Sequence, residues 1–116
     1  MKIKQMSPLL LVTDLERSLE FYANHLGFKI DFLYEDFYAG IRNEAHRIHL
    51  KLGKPVQSNE EEHLDLYFSV EAIDFLFESF KNQSLKIIQP LREMPYGKEF
   101  YIADPDGYIL GFIENE

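Results

Sequence analysis

The sequence predicts an α+β fold of two βαβββ modules, forming a curved mixed-sheet cleft with helices on the outer face. Two observations carry that expectation. The first is a half-length repeat. Val12-Thr13-Asp14-Leu15-Glu16 ends an apolar strand-like run and opens a helix-like one, and Val70-Glu71-Ala72-Ile73-Asp74 does the same 58 positions later. On that offset Leu19 falls on Phe77 and Tyr22 on Phe80, so the two helix faces match as well. The second is that each helical segment is followed by runs alternating at the period of a strand. Two half-sheets set side by side leave a cleft at their junction, a natural place for a ligand.

In chain order, Met6 to Val12 reads as a strand with Pro8 near its start or at an edge. Thr13 and Glu16 match a capping box, so a helix is expected to open there. Leu15, Leu19, Tyr22 and Leu26 keep helical spacing, and Gly27 suits a terminator. Phe28, Ile30, Phe32 and Tyr34 alternate as a strand, Phe37 to Ile41 follows as another, and Asn43 to Ala45 turn the chain. Ile48, Leu50 and Leu52 alternate with Arg47, His49 and Lys51. Residues 1–53 are therefore the first module and 63–116 the second, within a single domain. The polar stretch 54–62 between them is a linker, and its glutamates Glu60 to Glu62 are a solvated loop.

In the second module His63 to Val70 alternates as a strand, and a helix is expected from Glu71 to Lys81, burying Ile73, Leu76, Phe77 and Phe80. Leu85 to Ile88 is a short strand, followed by a loop through Pro90, Met94, Pro95, Tyr96 and Gly97. Glu99 to Ala103 and Tyr108 to Ile113 form a last hairpin around Asp104-Pro105-Asp106-Gly107, a strong turn signal.

Composition narrows the function classes. The chain has 116 residues, 46% hydrophobic and 28% charged, which is too apolar for disorder and suits one compact core. A formal net charge of −8 argues against nucleic acid, since phosphate recognition needs clustered Lys and Arg. The absence of cysteine excludes disulfides, thiolate metal sites and a cysteine nucleophile. The first apolar run, Leu9 to Val12, is too short for a signal-peptide core or a membrane span, so a cytoplasmic protein is expected.

Val12-Thr13-Asp14-Leu15-Glu16-Arg17-Ser18-Leu19-Glu20-Phe21-Tyr22 with Leu26-Gly27-Phe28 resembles the opening of the vicinal oxygen chelate superfamily. Phe100-Tyr101-Ile102-Ala103-Asp104-Pro105-Asp106-Gly107 resembles its closing hairpin. That group includes glyoxalase I, extradiol dioxygenases, fosfomycin resistance proteins and bleomycin resistance proteins. The resemblance implies four metal-ligand positions, which fall on Ser7, His49, Asp65 (with His63 one strand repeat earlier) and Gly111. Two of them hold no usable ligand: Gly111 has no side chain, and a serine hydroxyl is a poor ligand for a divalent transition metal. No metal or cofactor is therefore expected, the alternative being a divalent ion at a displaced site of His49, His63 and Asp65. The ending Leu110 to Glu116 and the missing ligands resemble the bleomycin-resistance-like branch. Members of that branch bind a drug or metabolite stoichiometrically, commonly as two-fold dimers.

Strand parity places Ser7, Leu9, Leu11, Arg47, His49, Lys51, His63, Asp65, Tyr67, Ser69, Ile109, Gly111 and Ile113 on the cleft face. Leu10, Val12, Ile48, Leu50, Leu64, Leu66, Phe68, Leu110 and Phe112 face the helices. The candidate ligand-binding set is His49, His63, Asp65, Tyr67, Tyr96, Leu9, Leu11 and Ile109. His63 and Asp65 are open to three readings: a hydrogen-bonded pair in a wet cavity, a ligand-orienting pair, or metal ligands with His49. Tyr34, Phe37, Tyr38, Tyr67, Tyr96 and Tyr101 are either core or stacking rings, Tyr96 being the favoured stacker. Lys98 and Glu99 read as surface charge. The expected activity is sequestration of a small, aromatic, cationic drug or metabolite by a homodimer, with no nucleic acid or membrane partner. A metal-dependent lyase, isomerase or dioxygenase is the alternative.

Overall fold

The computed structural model describes residues 1–58, 60 and 62–115. Glu61 and Glu116, both named in the sequence reading, lie outside the described residues. The chain divides into two compact units, Met1–Val56 and Gln57–Glu116, each built as βαβββ.

In the first unit the elements are β1 (Leu9–Val12), α1 (Leu15–Leu26), β2 (Lys29–Tyr34), β3 (Tyr38–Asn43) and β4 (His46–Leu52). They form an open sheet of order β1-β4-β3-β2, with β1 parallel to β4 and the other pairs antiparallel. Leu10, Val12, Ala39, Ile41, Ile48 and Leu50 are buried together with Leu15 and Tyr22 of α1, as the alternation requires. The helix opens one residue later than expected. Asp14, in extended backbone, is the cap and accepts from the Arg17 backbone N–H, while the Thr13 hydroxyl accepts from the Arg17 guanidinium. Gly27 ends it in the left-handed conformation that a residue with a Cβ adopts only under strain.

The second unit contains β5 (Leu66–Ser69), α2 (Ile73–Asn82), β6 (Lys86–Met94), β7 (Gly97–Ala103) and β8 (Ile109–Asn115). Its sheet runs β5-β8-β7-β6, with β5 parallel to β8. Phe77 and Phe80 of α2 pack on Phe100, and Phe80 also on Phe112, with ring centroids 5.1–5.8 Å apart along Phe77–Phe100–Phe80 and Phe100–Phe112. This aromatic layer fixes the opposite face of the sheet as the one that carries Tyr67, Glu99, Tyr101 and Gly111.

Two expectations fail in this unit. The loop expected through Pro90 and Met94 is strand: β6 runs nine residues and turns into β7 through Pro95 and Tyr96 alone. Proline is tolerated because β6 is an edge strand whose register shifts on both sides of Gln89, so no ladder bond is demanded of Pro90. The strand expected from His63 begins only at Leu66. Freed from strand parity, Leu64 lies on the same side as Tyr67, where its methyls approach Gly111.

The Asp104-Pro105-Asp106-Gly107 turn forms as expected, because its contacts are local. Asp104 Oδ1 accepts from the N–H groups of Asp106 and Tyr108. Among the described residues no helix is long and apolar enough to cross a membrane.

Candidate functional site

Glu99 is the centre of the second unit's open face, and the sequence reading of it as surface charge is wrong. It stands in the middle of β7, paired with Ile113 of β8 and Arg92 of β6, and is only 1% exposed. A buried carboxylate is costly unless its lone pairs are satisfied. Here Oε1 accepts from the hydroxyls of Tyr67 (2.9 Å) and Tyr96 (3.0 Å). Oε2 accepts from Arg92 Nε (3.0 Å) and Nη2 (2.7 Å) and from the Tyr101 hydroxyl (3.0 Å). Burial opposes its ionisation, yet the bonds from Arg92 and the three tyrosines outweigh burial and hold the carboxyl below its ordinary range. The tyrosines respond in the opposite sense. Burial and the bonds to Glu99 and Glu62 push Tyr101 up to about 12, and burial with the Glu99 bond raises Tyr67 as well.

Arg92 joins this buried centre to the surface. Its Nη1 and Nη2 donate to Glu62 Oε1 (3.3 Å) and Oε2 (2.7 Å), and its guanidinium carbon lies 5.4 Å from the Tyr101 ring centroid. The Tyr101 hydroxyl is 3.0 Å from Glu62 Oε2 and 3.0 Å from Glu99 Oε2, so its one proton is shared between two carboxylates. Beside this network lies a cleft of about 370 Å³ lined by Glu60, Glu62, His63, Ile88, Gln89, Tyr101 and Ile109 with Ser58.

The candidate residues come from both units. His63 and Asp65 form the hydrogen-bonded pair that was one of the three readings: Nε2 is 3.0 Å from Asp65 Oδ1, and Asp65 Oδ2 accepts from the Ile109 N–H at 2.8 Å. His63 and Ile109 line the cleft, with Asp65 behind them. Tyr67 and Tyr96 are half exposed but converge, through their hydroxyls, on one oxygen of Glu99. His49, Leu9 and Leu11 belong to the first unit. There Leu9 is the register partner of His49, and His49 Nδ1 lies 2.8 Å from the Tyr38 hydroxyl. Ile113, expected on the cleft wall, is buried.

The positions implied as metal ligands can be judged on their own surroundings. Asp65 already spends both oxygens, one on His63 and one on a backbone N–H. Ser7 Oγ accepts from Gln5. At Gly111 a Cβ would meet Tyr67 Cδ1 at 2.7 Å, so the tyrosine ring fills the space a carboxylate side chain would need. Among the described residues no three His, Cys, Asp or Glu side chains converge as a metal-binding group. Of the implied positions, Ser7 and Gly111 offer neither an imidazole nor a carboxylate to a divalent ion.

Sequence reasoning missed Glu99, Arg92 and Glu62. One signal was present: Glu99 shares strand parity with Tyr101, and the two are the β7 register partners of Ile113 and Gly111 on β8, which had been placed on the cleft face. Extending that parity one strand further brings Glu99 inward.

A family model described as Glyoxalase/Bleomycin resistance protein/Dioxygenase superfamily matches residues 2–112. Among solved structures, a glyoxalase-related enzyme from Clostridium phytofermentans superposes with a TM-score of 0.83 at 21% identity, covering 100% of this chain and 98% of that one. The genomically encoded fosfomycin resistance protein FosX from Listeria monocytogenes gives 0.82 at 18% identity, covering 100% and 96%. TioX from Micromonospora sp. ML1 gives 0.78 at 18%, covering 98% and 100%. At such identities these likenesses establish the fold alone. No curated protein matches the chain significantly.

Proposed function

Because the chain belongs to the glyoxalase/bleomycin resistance protein/dioxygenase superfamily, we propose that it is a metal-independent binding protein that sequesters a small drug or metabolite. The observation that carries this reading is the Tyr67 ring lying over Gly111, at the position where the superfamily resemblance calls for a chelating carboxylate. A ring in that place removes a ligand and supplies a stacking face instead. Tyr67 and Tyr96 are 49% and 47% exposed while Glu99 pins their hydroxyls, so both rings present apolar surface at little entropic cost. Ile88 and Ile109 add apolar wall to the cleft. At long range the net charge of −8 favours a cationic ligand. At contact distance the cleft carries both signs, Glu60 and Glu62 on its wall and Arg92 bonded to Glu62.

We read the protein as cytoplasmic and homodimeric. Ile30, Phe32, Leu33 and Tyr34 leave edge strand β2 apolar and exposed, which supports a second copy as the partner. The alternative, a divalent-metal lyase, isomerase or dioxygenase, draws on His63 and Asp65 standing together at the cleft. Both Asp65 oxygens being committed weighs against it.

A thermal-shift screen of small aromatic compounds, run with and without a chelator, separates the two. Saturable stabilisation indifferent to the chelator is the expected result. Near-stoichiometric metal in protein purified without chelator, lost on His63→Ala, overturns the proposal.

A further inference from the structure

Arg92 is held from two sides by carboxylates of very different standing. Glu99, 1% exposed, takes Nε and Nη2 and fixes the guanidinium within the sheet face. Glu62, whose side chain is 58% exposed, takes Nη1 and Nη2 in the two-pronged contact that a guanidinium offers any carboxylate. Glu62 reaches this position from a backbone φ of 62°, a left-handed conformation that a residue with a Cβ adopts at a cost. Glu62 and Tyr101 both line the cleft and both bond Arg92, whereas Arg92 itself is not among the lining residues. The guanidinium therefore lies directly behind the Glu62 carboxylate.

We propose that Arg92 is a receptor for the carboxylate of a small aromatic ligand, and that Glu62 occupies it in cis. Binding is an exchange: the Glu62 side chain returns to water, and the ligand carboxylate takes Nη1 and Nη2. This rests on the reading of the cleft as a small-molecule site and names the ligand's chemistry. Glu62 is a good leaving group because it is already mostly hydrated, and an ion pair so exposed is weak. Arg92 is a good receptor because Glu99 keeps it in place after Glu62 departs, so no ordering cost falls on the ligand. The ligand also brings what Glu62 lacks, a ring to set against Tyr101, Ile88 and Ile109. The chain's acidity does not oppose this, since recognition is decided by the nearest desolvated charge rather than by the total.

Benzoate and benzylammonium are matched probes of opposite charge, and calorimetric titration of each reads the exchange. Glu62→Gln removes the competing carboxylate from an exposed position and is expected to tighten benzoate binding by about threefold to fivefold, the internal occupant having held the receptor closed most of the time. Arg92→Lys keeps a cation beside Glu99 but loses the fork, so benzoate binding weakens and Glu62→Gln no longer improves it. Equal benzoate affinity in the native protein and Glu62→Gln overturns the proposal, as does a preference for benzylammonium in both. If Arg92→Lys fails to fold, the Glu62→Gln comparison still decides. Should a screened compound bind with an affinity indifferent to Glu62→Gln, the exchange falls while the binding function stands. Should neither probe nor any screened compound bind, both fall.

Discussion

The open sheet faces of the two units are built on the same backbone plan and reach different chemistry. Each lays an aromatic ring over a glycine where a Cβ would clash: Phe32 over Gly40 in the first unit, Tyr67 over Gly111 in the second. In the first, Phe32 sits 6.0 Å from Tyr38 and 5.4 Å from His49, and the Tyr38–His49 hydrogen bond completes an aromatic patch with no buried charge. In the second, the ring ends in a hydroxyl tied to Glu99, and that carboxylate draws in Tyr96, Tyr101 and Arg92. A repeated strand gives a repeated place for a ring. What the ring is anchored to decides whether the face is an apolar patch or an organised polar site.

The largest expected difference between the two faces is in stability. Glu99→Ala takes away the buried anchor of the Arg92 guanidinium, leaves Arg92 and Tyr101 with Glu62 alone, deprives the Tyr67 and Tyr96 hydroxyls of their acceptor, and should cost about 3 kcal/mol. His49→Ala, which removes one half-buried hydrogen bond, should cost about 1 kcal/mol or less. Urea titration of both variants checks this, and equal losses would break the comparison. The same carboxylate governs the response to pH. Its folded pKa is depressed, so its stabilisation is present above the unfolded value of about 4.3 and is lost as pH falls through the lower folded value. Glu99→Ala should therefore flatten the acid limb of stability against pH. At the alkaline end Tyr101, raised to about 12, stabilises the fold below its unfolded value near 10, and that contribution is lost as pH rises towards 12. Tyrosinate absorbance should accordingly show a set of late-titrating tyrosines, with one fewer in Tyr101→Phe.

A smaller effect sharpens the comparison of the glycines. Gly111→Ala should cost about 1–2 kcal/mol, because Tyr67 has to leave Glu99 to make room. Gly40→Ala should cost less, although its Cβ would lie closer to a ring atom, because Phe32 is 40% exposed and turns outward with no hydrogen bond to lose. Denaturation midpoints in the reverse order would mean that the Tyr67 anchor is weak. The smallest effects concern the helix starts. Asp14→Ala and Glu114→Ala should each cost about 1 kcal/mol by thermal or urea unfolding, since each removes the acceptor at one helix N-terminus.

That last pair separates what sequence alone determined from what the tertiary structure decided. The stop of α1, its start to within one residue, the Asp104 turn and the burial of Leu10, Val12, Ile48, Leu50, Leu110 and Phe112 were legible because their causes lie within a few residues. A cap bonds its own first turn, and alternation sorts a strand's two faces. The start of α2 was only partly legible. Ala72 stands where the repeat puts Asp14, and the missing acceptor comes from Glu114 on β8, which takes the N–H groups of Ala72 and Ile73. Glu99 follows the same logic at the site. A glutamate in an alternating strand looks like solvent-facing charge until Tyr67, 32 positions earlier, and Arg92 on the neighbouring strand are brought beside it. Hydrophobic period and local hydrogen bonds are written in neighbouring residues, so sequence fixes the elements and their faces. Satisfying a buried charge takes partners from several strands, and only the folded sheet brings those partners together.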